Sequence, residues 1–251
     1  MKYTIIHLSD IHCSKSEFIE NKVMAGIDEI NDLSPNLVVV SGDLTVWGLR
    51  SEFVMAKEVL SKIKHTPLII LMGNHDAKNV GYLIFEEYFG PRFKTYEDDF
   101  VNFIGVDSSQ PDSDEGHIGR ELSKYISSEL EKYDPEKLKI FAMHHHLVPV
   151  PLAGRERDIL RDAGDVLRML IEQNVHLCIA GHRHIPWTWK IEDLLIVHAG
   201  TFGSERTRGF KTQSYNIINI KQEENGWNIE VILKKIEQSA EILRSATHIK
   251  R

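Results

Sequence analysis

The sequence predicts an α/β fold in which helices layer over sheet. Two observations carry that prediction. Short apolar runs alternate with longer amphipathic segments along most of the chain. The last apolar runs then follow one another as antiparallel strands do. A third observation bears on function: five of the core runs end in Asp, Asn or His.

In chain order, residues 3–8 (YTIIHL) form a strand-length apolar run that leads into Ser9-Asp10-Ile11-His12. Residues 16–33 carry apolar side chains at helical spacing. A second strand, 37–40 (LVVV), leads into Ser41-Gly42-Asp43-Leu44-Thr45, and a helix is expected over 51–63. The third strand, 68–72 (LIILM), leads into Gly73-Asn74-His75-Asp76. Residues 77–120 hold fewer strand signals and many acids, as in QPDSDEGH, and read as an elaboration around one strand at 103–106. A helix over 119–132 stops before the Asp134-Pro135 breaker. Strand 138–143 (LKIFAM) leads into His144-His145-His146. After a helix over 158–173, strand 175–180 (VHLCIA) leads into Gly181-His182-Arg183-His184. Strands at 194–198, 215–220 and 227–232 follow, and the tail 233–251 is expected to be helical and peripheral. No linker or repeat divides the chain, so residues 1–251 read as a single domain.

Of 251 residues, 42% are hydrophobic and 27% charged, the balance of a soluble globular protein. A net charge of −7 gives no global attraction for nucleic acid or an anionic membrane. Cys13 and Cys178 are the two cysteines and make no disulfide framework, which suits a reducing cytoplasm. No apolar run approaches the ~20 residues of a membrane span, and the N-terminus lacks a signal-peptide pattern.

The polar residues after the strands belong together. In open α/β sheets, ligands sit outside the carboxyl ends of the strands. Asp10 and His12 are two apart, as are His182 and His184, so each pair projects to one side of an extended chain. The glycines before Asp43, Asn74 and His182 permit sharp turns. Carboxylate, amide and imidazole donors together suit manganese, iron or zinc, and the thiolates of a structural zinc site are missing. Singly, each element is an ordinary turn or cap; five in order, each after an apolar strand, are not. Within the triplet, strand phase does not separate His144 from His146. His7, His65, His117, His176 and His248 read as structural or exposed histidines, and Cys13 as a small buried residue.

Asp10-Ile11-His12, Gly42-Asp43, Gly73-Asn74-His75-Asp76, His144 and Gly181-His182-Arg183-His184 resemble the signature of the calcineurin-like metallophosphoesterases, from about residue 5 to about residue 202. The resemblance implies a four-layer α/β/β/α sandwich of two mixed sheets, with the metal site at the carboxyl ends of the strands. It implies two divalent ions, one held by Asp10, His12, Asp43 and His184 and the other by Asp43, Asn74, His144 and His182, with Asp43 bridging. The first histidine of the triplet is the family ligand. The missing proline after the pair leaves His145 as the alternative, and the other triplet members would line the pocket mouth or stay outside. In the family, a hydroxide bridging the metals attacks phosphorus, His75 protonates the leaving oxygen, and Asp76 would orient His75.

The Asp-Arg-Gly extension of the protein serine/threonine phosphatases is absent after Gly42-Asp43, and Asp76 stands where they carry glutamate. The motif set is most similar to the cyclic-nucleotide and glycerophosphodiester phosphodiesterases. The implied substrate is therefore a small-molecule phosphodiester, and the implied assembly, by analogy, a homodimer. Arg155, Arg157, Arg206 and Arg208 are candidates for substrate phosphate, against the plainer reading of solvated loop charges. Tyr82, Phe85 and Trp187 could stack a base, although aromatics more often pack. The competing functions are a phosphomonoesterase or nuclease on the same scaffold and a non-catalytic interaction module. A module should have lost ligands, and all seven positions are filled.

Overall fold

The computed structural model describes residues 2–64, 66–153, 159–210, 212–224 and 226–249. The elements begin β1 (Lys2–Leu8), α1 (Glu20–Leu33), β2 (Leu37–Val40), α2 (Arg50–Leu60), β3 (Leu68–Ile70) and α3 (Gly81–Phe89). They continue β4 (Lys94–Glu97), β5 (Val101–Gly105), α4 (Arg120–Leu130), β6 (Leu138–Ala142), α5 (Ala163–Glu172) and β7 (Leu177–Ala180). The last are β8 (Trp187–Ile191), β9 (Leu194–His198), β10 (Ser214–Glu223), β11 (Gly226–Lys235) and β12 (Ala240–Ile249).

Two six-stranded sheets result, ordered β12-β11-β10-β1-β2-β3 and β4-β5-β6-β7-β9-β8. Both are mixed. β1, β2 and β3 run parallel, while β10 returns antiparallel to β1 and opens a meander with β11 and β12. In the second sheet β5, β6, β7 and β9 are parallel, with antiparallel β4 and β8 at the edges.

The two-residue period of a strand explains the layering. Ile5, Leu37, Val39, Leu138, Ile140, Leu177, Ile179, Leu195 and Val197 enter the core shared by the two sheets. Their alternates on the first sheet, Ile6, Leu8, Val38 and Val40, pack with Ile27, Phe53 and Phe85 of α1–α3. On the second sheet Phe141, Cys178 and Ile196 pack with Ile126 of α4 and Val166 of α5. Strands covered on both faces need apolar residues at every position, which is why LVVV and LCIA show no alternation. Each fully buried Leu or Ile contributes ~1.5–3 kcal/mol. The four-layer sandwich is thus the arrangement that hides both sets of alternates.

The structure departs from the sequence reading in several elements. The tail is no helix: β12 pairs with β11 from Ala240 to Ile249. Glu241, Leu243 and Arg244 favour helix singly, but the open edge of β11 supplies a ladder that overrides a weak local preference. The segment 77–120 is more than an elaboration, since it supplies α3, β4 and core strand β5. β4 (KTYE) and β8 (WTWKI) escaped notice because edge strands expose one face and carry mixed residues. Among the described residues, no helix is long and apolar enough to cross a membrane.

Candidate metal centre

The segments that leave β1, β2, β3, β6 and β7 converge at one rim. They do so through backbone that side chains rarely adopt. Asp10 (φ 55°), His12 (φ 53°), Asp43 (φ 54°), His182 (φ 80°) and His184 (φ 56°) are all left-handed. The pairs at 10/12 and 182/184 therefore do not use extended-strand alternation, as the spacing had suggested. Each turns inward on its own left-handed residue. Such conformations persist where surrounding structure over-determines them. Here the N–H groups of Asp10, His12 and Cys13 bond the carbonyls of Gly42, Asp43 and Leu44 at 3.0, 3.0 and 2.7 Å, zipping the two tips together. Gly42 has φ +101°, and a Cβ there would stand 2.7 Å from His144 Nδ1; one on Gly73 would stand 2.2 Å from Asp43 Oδ1. The approach of these loops requires glycine.

Among the described residues the side chains form two buried donor sets, Asp10–His12–His184 and Asp43–His144–His182, and a third, His12–Asp43–His75, that takes one member from each and adds half-buried His75. In the first, His12 Nε2 faces His184 Nε2 at 3.1 Å, and His184 Nε2 lies 3.1 Å from Asp10 Oδ1. In the second, His144 Nε2 stands 3.2 Å from Asp43 Oδ2 and 3.1 Å from Asn74 Oδ1, while His182 Nδ1 is 3.0 Å from the same amide oxygen. Asp43 Oδ2 also lies 3.8 Å from His12 Nε2, so one carboxylate oxygen faces both sets.

Hydrogen bonds outside the centre aim the lone pairs into it. His144 Nδ1–H donates to the Ser41 carbonyl at 2.7 Å, and His184 Nδ1–H donates to the Arg206 carbonyl. Both imidazoles thereby turn Nε2 inward, the nitrogen on which a metal would replace a proton. Asp10 Oδ2 accepts from the His182 N–H at 3.0 Å and Asp43 Oδ1 from the His75 N–H at 2.8 Å. The remaining oxygens, Asp10 Oδ1 and Asp43 Oδ2, face the imidazoles. Asp10 Oδ1 is buried without a hydrogen bond. Lone pairs converging among buried side chains call for a cation, and this donor set fits divalent ions of intermediate softness.

Burial opposes ionisation of both carboxylates, yet His184 and His12 hold Asp10 well below the carboxylate range, and His144 and His75 do the same for Asp43. Burial likewise works against the His144 cation, but Asp43 outweighs it and draws the imidazole up to about 9. His182 goes the other way, pushed well down by burial and by its histidine neighbours.

The triplet separates cleanly. His144 enters the second donor set. His145 lies against His182 with ring centres 4.6 Å apart and bonds Ser108 Oγ through Nδ1 at 2.8 Å, and His146 packs on His198 with ring centres 4.3 Å apart. Neither of the latter lines the pocket mouth, since both are buried.

His75 is half-buried beside the first set, and its ring meets His12 edge-on at 4.8 Å. Its Nδ1–H donates to the Val46 carbonyl at 2.8 Å, with Lys78 Nζ 3.2 Å from the same nitrogen. Asp76 does not hold His75. Its carboxylate is occupied by the N–H groups of Leu44, Thr45 and Gly73 and by the Thr45 hydroxyl, at 3.1, 2.9, 3.0 and 2.8 Å. It ties the β2 and β3 loops together. A side chain that follows His75 by one residue points back under its own loop, so adjacency in sequence misled.

Arg206 and Arg208 line the same cleft as His12, Asp43, Asn74 and His184. Arg206 is paired with Glu17 at 2.7 Å. Arg155 and Arg157 lie outside the described residues. Phe85 packs inside the helical layer and offers no stacking face, whereas Trp187 is part-exposed on β8. The sequence reading passed over His198, Lys78 and Asp114. None carries a motif; Asp114 sits 40 residues from its partner Asn74.

The family profile described as calcineurin-like phosphoesterase matches residues 3–186. A probable glycerophosphodiester phosphodiesterase GpdQ of Arcobacter nitrofigilis is 30% identical over 213 residues, covering 78% of this chain and 77% of that protein. A cAMP/cGMP dual specificity phosphodiesterase of Mycobacterium tuberculosis is 25% identical over 236 residues, covering 82% and 74%. Among solved structures, a purple acid phosphatase from yellow lupin superposes with a TM-score of 0.76 at 14% identity, covering 99% of this chain and 54% of its own, which speaks to fold alone.

Proposed function

The chain belongs to the calcineurin-like phosphoesterases, and from that membership we propose that it is a dinuclear metal-dependent phosphodiesterase acting on a small molecule of the glycerophosphodiester or cyclic-nucleotide class. The observation that carries the proposal is the shared carboxylate: Asp43 Oδ2 stands 3.2 Å from His144 Nε2 and 3.8 Å from His12 Nε2, between two donor sets. We assign one divalent ion, manganese, iron or zinc, to Asp10, His12, Asp43 and His184, and the other to Asp43, Asn74, His144 and His182. The two relatives, a probable glycerophosphodiester phosphodiesterase and a cAMP/cGMP phosphodiesterase, support the substrate class.

Two divalent ions held by these residues would supply a water of lowered pKa and charge neutralisation at the phosphoryl group. The chain supplies the rest. His75, held through Nδ1 by Val46, presents Nε2 to the leaving oxygen and gives it a proton. Asp76 keeps the two loops bearing Asp43 and His75 in register. Arg206 and Arg208 at the rim would meet the substrate's outer phosphate oxygens or its retained alcohol. Residues 1–251 act as one domain on this reading, because both sheets contribute to the centre.

The test is a substrate panel on the manganese-loaded protein: a glycerophosphodiester, cyclic AMP, bis(p-nitrophenyl) phosphate, p-nitrophenyl phosphate and single-stranded DNA. Turnover of the small diesters should exceed that of the monoester and DNA. A preference for the monoester or for DNA would replace this reading with the corresponding activity, and turnover of none of them would favour an interaction module.

A further inference from the structure

The acid-rich loop between β5 and α4 does more than connect them. It is pinned across the cleft at several points. The Ser108 hydroxyl accepts from the His145 N–H at 3.2 Å and bonds His145 Nδ1 at 2.8 Å. Asp112 accepts the Asn79 N–H at 2.7 Å, and the Ile118 and Gly119 N–H groups donate to Asp162 at 3.2 and 2.8 Å. Between these anchors the backbone lies flat on His145; a Cβ on Gly116 would stand 2.4 Å from that ring. At the apex, Asp114 Oδ1 accepts a hydrogen bond from Asn74 Nδ2 at 3.0 Å, and Lys78 Nζ lies 4.0 Å from the same carboxylate oxygen.

Asn74 carries two unlike ends. Its oxygen is an electron donor for a cation and its NH₂ is not. The oxygen faces His144 Nε2 and His182 Nδ1, where the second ion is assigned. A 180° turn of the amide has nearly the same shape and would put two N–H bonds there instead. A carboxylate can only accept, so Asp114 admits the NH₂ end alone. We propose that Asp114 is a positioning residue for metal binding: it fixes the orientation of the Asn74 amide and, by drawing on its N–H, makes the oxygen a better donor. The proposal rests on the metal-centre reading above. It gives the acid-rich loop a function in the site.

The experiment is a manganese titration of the metal-stripped full chain, followed by calorimetry and by electron paramagnetic resonance. Wild type should fill two sites and give the spin-coupled signal of a pair. Asp114→Ala should weaken one site by ~10–100-fold, the usual cost of removing an outer partner of a ligand, and leave the other unchanged. At intermediate manganese its spectrum should be that of isolated ions. Asp114 is 76% exposed, so its loss opens no core cavity, and the metal-free variant should melt with wild type. Asp114→Asn, which retains a carbonyl acceptor, should recover most of the affinity. Two unchanged sites in Asp114→Ala would overturn the proposal. Equal weakening of both sites with a lowered melting point would overturn it as well, reducing Asp114 to loop packing. A wild-type chain that binds no manganese, iron or zinc would remove the metal-centre reading itself and the inference with it.

Discussion

His75 is the residue on which the chemistry divides. Its Nδ1 is committed to the Val46 carbonyl, so only Nε2 is free to act, and the ring stands edge-on to His12. A proton donor matters in proportion to the need of the leaving group. Nitrophenolate departs without a proton, whereas a glycerol or ribose alkoxide does not. His75→Ala should therefore keep both metals and lose ~10²–10⁴-fold more rate on an alkyl diester than on a nitrophenyl ester. Equal losses on both esters, with metals intact, would make His75 a charge stabiliser. Loss of metal would make it a ligand, a role its place within reach of His12 and Asp43 also allows.

At the scale of elements, the parallel strands and the polar tips that follow them were legible because both rest on local pattern. Short apolar runs such as LVVV and LCIA, bounded by polar turns, fit strands buried on two faces, and the polar residue after each marks the rim of a sheet. The same logic failed at the edges. β4, β8 and β12 owe their existence to a neighbouring strand's open hydrogen bonds, which no window of their own sequence records. The sequence set Asp10, His12, Asp43, Asn74, His144, His182 and His184 at strand ends, and the structure brings those side chains together, but the means of their convergence was not legible. The left-handed turns at five of them are set by contacts between loops far apart in sequence. The role of Asp76 is hidden from sequence for a related reason: its partners lie at Leu44, Thr45 and Gly73, and proximity to His75 along the chain says nothing of them.

For the whole molecule, the cost of assembling so many imidazoles in a dry interior should appear as acid sensitivity. Burial lowers His7, His145 and His198 from the ordinary 6.5 to about 3, and lowers His12, His146 and His182 as well. A histidine that is harder to protonate when folded contributes stability that is complete above its unfolded pKa and is lost as pH falls below it. Asp76, raised to about 7 by burial and by Asp43, Asp107, raised by burial, and His144, which Asp43 draws up to about 9 against its burial, act in the opposite direction over the same range. The six lowered imidazoles outnumber these three groups, and a net uptake of even two protons on unfolding gives a slope of about 3 kcal/mol per pH unit. Urea unfolding of the metal-free chain should therefore show stability falling steeply from pH 6.5 to pH 5. A flat profile there would mean that these histidines are hydrated or paired in solution.

On the proposed reading, one carboxylate, that of Asp43, joins two metal sites. The most direct measurement is the metal content of wild type and of Asp43→Asn after equilibration with manganese and removal of free ion. Wild type should hold two ions per chain. The variant should lose occupancy at both sites together, because Asp43 Oδ2 faces His144 on one side and His12 on the other. Two ions retained in Asp43→Asn, or one site lost with the other untouched, would contradict the account.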